Sequence, residues 1–359
     1  MTILGIETSC DETSVAIVEG KGNDVLIHAN VVASSLALHA QTGGVIPEVA
    51  ARAQLKYMLP VLIEAIERAF GYAAKDIADV APPIDAIAVT YGPGLIGPLL
   101  VGVECARTLS FVWEKAVIPV NHMMGHIYAN FIGVESRIKN QESRLSNEIA
   151  FPLLALVVSG GHTDLIYMKE HGDYRVLGGT RDDASGEAFD KIGRLLGLPY
   201  PAGPVIEERA NLGDVRRFRF PRPLIAESNY DFSFSGLKTA VLREVKMQGV
   251  LDEQIINDIA AGTQVAIVDV LIRKTMRAAS ETGVKSILLS GGVAANQMLR
   301  ETFENEIEKN KVGVKLFAPP KNLCTDNAAM IAAAAYFNYS PIGWEEITVN
   351  PELYYENLA

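Results

Sequence analysis

The 359-residue sequence has only three cysteines, Cys10, Cys105 and Cys324, and none of them lies in a CxxC pair. Three scattered cysteines are too few for a disulfide framework. Long hydrophobic runs are also lacking. The longest mainly apolar run, Ile149–Val158, has ten residues and contains Pro152, whereas a membrane helix needs about 18. We therefore expect a soluble protein without a disulfide framework.

Positive charge is scarce as well, because 32 Lys and Arg residues face 43 Asp and Glu residues, a net charge of −11. This balance argues against binding nucleic acid through bulk charge and leaves only a local basic patch for that purpose. The N-terminal segment MTILGIETSCDETS has neither the basic region of a signal peptide nor an Arg-rich presequence. We expect a cytoplasmic protein with no membrane partner.

What is present is an ordinary globular composition. Hydrophobic residues make up 49% of the chain, and its 30 glycines and 17 prolines are close to average. Disordered, collagen-like and low-complexity classes are therefore excluded. At about 150 residues per domain, the length predicts two domains.

The two halves of the chain repeat one pattern. An apolar strand, a polar turn and a second apolar strand predict a hairpin at Ile3–Val18 and again at Leu153–Met168. Each hairpin is followed much later by a buried-looking strand that ends in glycines and enters a helix, at Ala86–Gly94 and Ser286–Gly292. Helical spacing predicts helices at residues 49–70, 257–281 and 327–337. The pattern indicates an α/β protein with two domains of one plan facing a common cleft.

Two histidines stand four residues apart in NHMMGHIYAN, at His122 and His126. On a helix their imidazoles share one face and can bind one metal ion. Position 123 is Met, so the segment is not the HExxH of a zinc protease. The best distant third ligand is Asp326 in LCTDNAAM, and an oxygen beside two imidazoles suits zinc or iron. Two ordinary surface or core histidines remain the alternative.

Glycine turns form a second group of candidate sites. Ser159–Gly161 and Ser290–Gly292 each follow an apolar strand, where glycines let a nucleotide phosphate approach the backbone. Tight turns without a ligand are the alternative. A third segment, Gly92–Gly97, spells GxGxxG, but Pro93 and Pro98 lack backbone donors. We favour a turn that caps a helix there, although a helix N-terminus can still hold an anion.

Two acidic groups stand out. Asp183, Glu187 and Asp190 have the spacing of one helix face, and crowded carboxylates of this kind are usually satisfied by a hydroxyl, a cation or a ligand. Asp11 and Glu12 lie in the first hairpin turn, either as ordinary turn residues or as an acid pair that points into the cleft.

One segment combines cationic and aromatic side chains. Arginines alternate with Phe218 and Phe220 over Arg216–Arg222, and the segment DFSFSGLK follows at Asp231–Lys238. This composition suits the backbone and bases of RNA. A solvated loop is the alternative.

Taken together, nine motifs closely resemble the tRNA N6-adenosine threonylcarbamoyltransferase family of the bacterial TsaD type, formerly the glycoprotease family. They are IETSCDETSVAIV, GGVIPEVAAR, YGPGLIGPLLVG, NHMMGH, LVVSGGHTDL, GEAFDKIGRLLGLPYPAGP, FSFSGLK, LSGGVAANQMLR and TDNAAMIA. The resemblance implies two duplicated actin-like, Hsp70-like and sugar-kinase-like (ASKHA) domains. We expect residues 1–130 and 327–359 in the N-terminal domain and residues 131–326 in the C-terminal domain.

The implied reaction transfers threonylcarbamoyl from threonylcarbamoyl-adenylate to N6 of adenosine 37 in tRNAs that read ANN codons, and releases AMP. The resemblance implies iron or zinc ligands at His122, His126 and Asp326, and acidic cleft residues at Asp11 and Glu12. It implies an adenylate site at Val157, Val158, Ser159, Gly160, Gly161, Asp190, Gly203 and Asn296, with Glu207 where relatives often have an acidic residue. Gln54 stands where the family commonly has a histidine.

The family implies four partners: the tRNA anticodon loop, a fold-related subunit that lacks the metal motif, a small P-loop ATPase, and the enzyme that forms the adenylate. Two other functions compete with the transferase. A metallopeptidase would use His122 and His126 but lacks the Glu at position 123. A noncatalytic, sugar-kinase-like nucleotide-binding module would have no reason to retain the metal ligands.

Overall fold

The computed structural model describes residues 1–40, 43–72, 81–133, 148–310 and 313–355. The chain divides into two compact units: unit 1 comprises Met1–Ile149 and Lys321–Ala359, and unit 2 comprises Ala150–Pro320. The boundaries thus lie at 149/150 and 320/321, where we expected 130/131 and 326/327. The second boundary comes immediately before a short helix at Lys321–Cys324, so Asp326 belongs to unit 1.

Unit 1 is built on a five-stranded sheet in the order β3-β2-β1-β4-β5. Its strands are β1 (Thr2–Glu7), β2 (Glu12–Lys21), β3 (Asp24–Ser34), β4 (Ala86–Gly92) and β5 (Ala116–Asn121). The first three form an antiparallel meander, and β4 and β5 run parallel to β1. The predicted hairpin is confirmed as β1 and β2, while β3 extends it beyond the prediction.

Helices lie on the unit 1 sheet. They are α1 (Leu36–Ala40), α2 (Pro47–Phe70), α3 (Ile96–Trp113), α4 (His122–Tyr128), α10 (Lys321–Cys324) and α11 (Ala328–Phe337). Leu4 and Ile6 of β1 share a core cluster with residues of α2 and α3. Gly5, which points to the other side of the strand, contacts the backbone of α11. Apolar helices therefore cover the sheet on both sides.

Unit 2 has a second five-stranded sheet, in the order β10-β9-β6-β7-β8. Its strands are β6 (Leu153–Val158), β7 (Thr163–Glu170), β8 (Asp173–Gly179), β9 (Ser286–Ser290) and β10 (Lys315–Phe317). Strands β6, β7 and β8 form an antiparallel meander, and β9 and β10 run parallel to β6. The order and the directions are those of unit 1, and the second predicted hairpin is confirmed as β6 and β7.

The helices of unit 2 are α5 (Ser185–Leu195), α6 (Ala202–Ala210), α7 (Ser235–Gln248), α8 (Glu253–Thr282) and α9 (Gln297–Asn310). Helix α8 begins where the Asp252 side chain accepts a hydrogen bond from the Ile255 amide and ends at Gly283, whose φ is 64°. Helices α2, α8 and α11 confirm the three predicted from helical spacing.

Two of the described helices, α3 and α8, are long and apolar enough to cross a membrane by length and composition. Isolated polar residues interrupt them, so no long apolar run stands out in the sequence. In α8, 78% of the most apolar window is buried inside the protein. A buried core helix passes the same test, so these two helices are weak evidence for a membrane span.

Candidate functional site

The three metal ligands predicted from the sequence meet in unit 1. His122 and His126 lie one turn apart on α4, whose start is capped by Asn121: the Asn121 Oδ1 accepts a 2.8 Å hydrogen bond from the Met123 amide. Asp326 Oδ1 lies 3.6 Å from His122 Nε2 and 3.2 Å from His126 Nε2. All three potential ligand atoms lie within 4.8 Å of one another.

Close packing of α4 on α11 brings these residues together. A Cβ at Gly125 would lie only 2.7 Å from Ile331 Cδ1, so glycine permits an approach that a larger residue would obstruct. Asn327 caps α11 by accepting a 3.1 Å hydrogen bond from the Met330 amide. Asp326 directly precedes this cap and is thereby placed beside both imidazoles.

A buried carboxylate, Glu7 at the end of β1, orients His122 from behind. Its Oε2 lies 3.0 Å from His122 Nδ1 and accepts a 2.5 Å hydrogen bond from Thr90 Oγ1. Its Oε1 accepts a 2.5 Å hydrogen bond from the Ser9 amide. A proton on Nδ1 shared with Glu7 leaves the Nε2 lone pair free on the side of Asp326. The motif search missed Glu7, although an acidic residue that ends a buried apolar strand is a usable signal.

The donor set fits a divalent cation. His126 is 1% exposed, and neither of its ring nitrogens makes a hydrogen bond to any described residue. The 3.2 Å contact of its Nε2 with Asp326 Oδ1 lacks hydrogen-bond geometry. A buried polar group without a hydrogen bond destabilises a fold by about 1–3 kcal/mol, and a bond to a metal ion would remove that penalty. Two imidazoles and one carboxylate are a donor set that zinc and iron accept.

Charges around the cluster perturb its titration. Burial lowers the pKa of His122, but the Glu7 and Asp326 carboxylates outweigh it and raise the pKa to about 9. Burial raises the pKa of Glu7, and the interaction with His122 reverses the sign, so the pKa of Glu7 lies below its usual range. The pair is thus ionic when no metal competes for Nε2.

Of the predicted acid pair, Asp11 lies in the loop between β1 and β2, and Glu12 is the first residue of β2. Burial, reinforced by the carboxylates of Asp326 and Asp11, raises the pKa of Glu12 to about 10. The mutual repulsion of these groups favours a cation nearby. Burial and the charge of Asp11 also raise the pKa of Cys10, so its sulfur stays a neutral thiol rather than a nucleophile or ligand.

In unit 2 the two SGG turns meet at one edge of the sheet, because β6 and β9 are parallel neighbours with Val157 opposite Ser290. Val157 and Val158 are fully buried, so they support the turn from beneath and present no surface to a ligand. The Gly186 amide donates a 3.1 Å hydrogen bond to Ser159 O, which brings the start of α5 to the first turn. A carboxyl-end turn beside a helix N-terminus is a geometry that accommodates phosphates.

The remaining predicted adenylate residues hold two helix starts. Asp190 Oδ1 accepts a 2.7 Å hydrogen bond from the Ala202 amide at the start of α6, and the Gly203 amide bonds to the same side chain. Burial still leaves the pKa of Asp190 raised. A Cβ at Gly160, Gly161 or Gly203 would meet no other atom within 4 Å, so space lies beside all three.

The start of α9 is held in the same way. Glu207 Oε1 accepts a 2.6 Å hydrogen bond from the Gln297 amide. Asn296 Oδ1 accepts one of 3.0 Å from the Leu299 amide, and its Nδ2 donates at 3.0 Å to Gln264 Oε1. Glu207 and Asn296, distant in sequence, therefore support one helix start.

The structure divides the acidic cluster of the RDDASGEAFDK segment. Helix α5 begins at Ser185, so Asp183 precedes it, and the prediction that Asp183 shares a helix face with Glu187 and Asp190 is wrong. Lys191 Nζ lies 2.6 Å from Asp183 Oδ1 and 2.8 Å from Glu187 Oε1. The Lys191 ammonium group therefore pairs with the carboxylates of Asp183 and Glu187, whereas Asp190 accepts hydrogen bonds from α6.

The GxGxxG segment is a packing turn, the interpretation that we favoured. The Gly94 amide donates a 3.2 Å hydrogen bond to Pro351 O, and the Leu95 amide donates one of 2.9 Å to Ser9 O. A Cβ at Gly92 would lie 1.9 Å from Asn350 O, so only glycine fits against the C-terminal segment. The turn that precedes α3 is thus bonded to protein carbonyls, and an anion at the helix N-terminus remains the alternative.

Three of the four arginines of this segment make ion pairs within unit 2. The pairs are Arg217–Asp258 at 2.7 Å, Arg222–Asp269 at 2.8 Å and Arg216–Asp214 at 3.2 Å. Phe218 and Phe220 are buried and cannot stack on bases. The aromatic part of the predicted RNA patch is therefore wrong, whereas RNA contact by the arginines, which include the exposed Arg219, stays a prediction.

The DFSFSGLK segment is fastened by a single carboxylate, Asp182. Its Oδ1 accepts hydrogen bonds from the Phe234 and Ser235 amides at 2.8 and 3.3 Å, and its Oδ2 accepts from the Ser233 and Ser235 hydroxyls at 2.5 and 2.6 Å. Burial raises the pKa of Asp182, but these four bonds outweigh it, so the pKa lies below its ordinary value. Asp182 thereby caps α7 from another segment.

Asp182→Ala is expected to lower the free energy of unfolding by about 2 kcal/mol, since the helix loses its cap and its charge-assisted bonds. Because the folded-state pKa is depressed, the contribution is complete at neutral pH and is lost as the pH falls below about 4. Urea unfolding at several pH values measures both effects. Asp173→Ala, which removes an exposed carboxylate 3.7 Å from Lys169, is the control, and equal stabilities of the two variants would contradict the assignment.

Two solved structures share the fold at low sequence identity. Full-length HypF in its phosphate- and nucleotide-bound form matches 94% of this chain and 55% of its own, with a TM-score of 0.57 and 12% identity. HypF of T. kodakarensis matches 94% and 48%, with a TM-score of 0.56 and 12% identity. The chain spans about half the length of these proteins, and the likeness shows a mixed α/β fold alone.

Sequence comparison is far more specific. The family model described as tRNA N6-adenosine threonylcarbamoyltransferase matches residues 26–333. Proteins with that name are 50% identical over 335 residues in Symbiobacterium thermophilum (93% of this chain, 91% of that protein) and 48% identical over 335 residues in Bacillus subtilis (93% and 89%). The protein of Moorella thermoacetica is 45% identical over 349 residues, 97% of this chain and 95% of its own. The chain belongs to the tRNA N6-adenosine threonylcarbamoyltransferase family.

Proposed function

We propose that the protein transfers the threonylcarbamoyl group of threonylcarbamoyl-adenylate to N6 of adenosine 37 in tRNAs that read ANN codons, with release of AMP. The observation that carries the proposal is the meeting of His122, His126 and Asp326 in a chain that belongs to this family. We place the reaction in the cytoplasm. The matching strand orders of the two sheets support two duplicated actin-like domains.

His122, His126 and Asp326 hold one Fe²⁺ or Zn²⁺ ion in this proposal, with Glu7 orienting His122. When bound, such an ion supplies Lewis acidity and open positions for an oxygen ligand. The burial of His126 and the Glu7–His122 contact of 3.0 Å support this role, because both fix a ligand nitrogen toward Asp326.

Unit 2 binds the adenylate portion of the donor in this proposal. Within the predicted turn from Val157 to Gly161, the backbone of Ser159–Gly161 contacts the phosphate, because space lies beside both glycines and the two buried valines hold the turn. Asp190 and Glu207 act by holding the starts of α6 and α9, since each accepts a backbone hydrogen bond there. Gly203 and Asn296 lie at those two helix starts.

In the transfer step, N6 of the adenosine attacks the carbamoyl carbon, the bond from that carbon to the phosphate oxygen breaks, and AMP leaves. The attacking amine loses one proton, which Asp11 of the acid pair with Glu12 accepts. An exocyclic amine is a weak nucleophile, so positioning contributes more to the rate than a strong base. The adenine must leave its stack in the anticodon loop to reach the site.

The direct test incubates purified protein with tRNA, ATP, threonine, bicarbonate, the adenylate-forming enzyme and the partner subunits. Mass spectrometry of the digested nucleosides should detect threonylcarbamoyladenosine, and a reaction without threonine is the control. Absence of that nucleoside in the complete reaction would overturn the proposed function. Peptide hydrolysis by the same preparation would favour the metallopeptidase alternative, against which Met123 already counts.

We also propose that the protein works with a fold-related subunit that lacks the metal motif and with a small P-loop ATPase. An exposed apolar surface on α2 and α3 supports a protein partner. It is formed by Leu55, Leu59, Ile96 and Leu100, which are 67%, 63%, 59% and 41% exposed. A Cβ at Gly97 would lie 3.1 Å from Ala51 Cβ, so the two helices contact each other beside this surface. Exposed apolar patches of this kind mark protein interfaces.

The double variant Leu55→Glu/Leu59→Glu is expected to weaken binding of the fold-related subunit at least about 100-fold, because two unpaired charges enter an apolar interface. Calorimetric titration of the purified proteins measures the affinity. Leu212→Glu is the matched control, since Leu212 of unit 2 is 63% exposed. An unchanged affinity of the double variant would remove this surface from the interface.

A further inference from the structure

Gln54 of α2 is a fully buried amide that faces the loop between β1 and β2. Its Nε2 lies 3.2 Å from Thr8 O, 3.1 Å from Cys10 O and 3.0 Å from Glu12 O. Alternate carbonyls of the loop therefore converge on one side-chain nitrogen. This is the position where the family resemblance led us to expect a histidine.

The orientation of the Gln54 amide follows from chemistry. All three partners are carbonyl oxygens, which only accept hydrogen bonds, so the NH₂ group and not the oxygen must face them. The amide oxygen makes no hydrogen bond to any described residue. The two N–H groups of Nε2 are thus shared among three carbonyl oxygens. Gln54 contacts the loop through this nitrogen.

The intervening carbonyls of the loop are fastened by other elements. Ser9 O accepts a 2.9 Å hydrogen bond from the Leu95 amide, and Asp11 O accepts bonds of 3.0 and 2.7 Å from the Ser35 amide and hydroxyl. Every carbonyl from Thr8 to Glu12 is therefore bonded to a group outside the loop. Gln54 supplies three of these six hydrogen bonds, whereas Ser35 supplies two and Leu95 one.

The loop carries the groups that the proposed reaction needs beside the metal ligands. Ser9 Oγ lies 3.2 Å from His122 Nδ1, and Asp11 and Glu12 form the acid pair. We infer that Gln54 is a positioning residue, which holds the Thr8–Glu12 loop so that these carboxylates keep their place beside the metal cluster. This inference rests on the proposed function.

Three variants test the inference in the complete reaction with partner subunits. Gln54→Met keeps the length of the side chain and removes both N–H donors. Gln54→His restores one donor when the imidazole is neutral. Lys56→Met, at an exposed position of the same helix, is the control. For each variant we would measure kcat and KM for tRNA at saturating donor, the metal content and the thermal midpoint.

We expect Gln54→Met to lower kcat at least about tenfold while KM for tRNA stays within about twofold, because positioning of reacting groups acts on the transfer step. The metal content should stay at the wild-type level, since no metal ligand is altered. Gln54→His should recover part of the lost kcat. If Gln54→Met does not fold, the kcat of Gln54→His is compared with that of the wild-type protein instead. We then expect the kcat of Gln54→His to be lower.

A wild-type kcat in the folded Gln54→Met variant, or in Gln54→His where Gln54→Met does not fold, would overturn the inference. A lowered thermal midpoint with unchanged kcat would also overturn it, since it would assign Gln54 a purely structural role. These results differ from failure of the proposed function, in which the wild-type protein itself forms no threonylcarbamoyladenosine.

Discussion

His126→Ala is expected to abolish metal binding and to lower the rate of threonylcarbamoyl transfer about 1000-fold. His126 is buried, and its Nε2 lies 3.2 Å from Asp326 Oδ1, so an alanine leaves only two of the three ligands and removes this contact of the Asp326 carboxylate. A bound metal contributes several kcal/mol of stabilisation to the transition state, and each tenfold change in rate corresponds to about 1.4 kcal/mol. Elemental analysis and the nucleoside assay measure the two losses.

His28→Ala is the control for this experiment. His28 is an exposed histidine of unit 1, with Nε2 2.9 Å from Glu19 Oε2, and its removal should change neither metal content nor rate. If purified His126→Ala protein retains the wild-type amount of metal, His126 leaves the ligand set. Loss of activity with full metal content would instead show that His126 acts in the transfer reaction and not in metal binding.

Glu7→Gln is expected to weaken metal binding by about 10- to 100-fold, the usual effect of removing the carboxylate behind a ligating histidine. Glutamine keeps the shape of Glu7 and loses its charge, so the hydrogen bond to His122 Nδ1 weakens and the imidazole becomes a poorer ligand. Competition with a chelator of known affinity measures the dissociation constant of the metal.

Glu19→Gln provides the matched comparison, because Glu19 makes a carboxylate–imidazole contact of 2.9 Å with His28 at the exposed surface of the same sheet. It should leave the metal affinity unchanged. An affinity of Glu7→Gln equal to that of Glu19→Gln would show that the buried carboxylate does not support the site.

Several features were readable from the sequence because they depend on local periodicity. The alternating apolar strands predicted both hairpins, and helical spacing predicted α2, α8 and α11. The four-residue spacing of His122 and His126 was sufficient to place both imidazoles on one helix face. Asp326 was harder to predict as the third ligand, because it lies 200 positions after His126 in the sequence. Only its position before an Ala-rich helix indicated it.

Other features depend on which elements pack together, and local patterns do not encode this. The sequence did not show that Asp214, Asp258 and Asp269 lie beside the arginines of Arg216–Arg222. The sequence predicted a glycine turn before α3, but only the structure shows the C-terminal segment against Gly92 of that turn.

By itself, the sequence determined the class of the protein, its repeated strand pattern, its family and the chemical types of its candidate metal ligands. These are properties of residue identity and near-neighbour spacing. Only the tertiary structure decided that Glu7 supports His122 and that Gln54 fastens the acidic loop. The physical reason is that a hydrogen bond requires atoms within about 3.5 Å in a suitable direction, and for residues far apart in the chain only the packing of whole helices and strands produces that geometry.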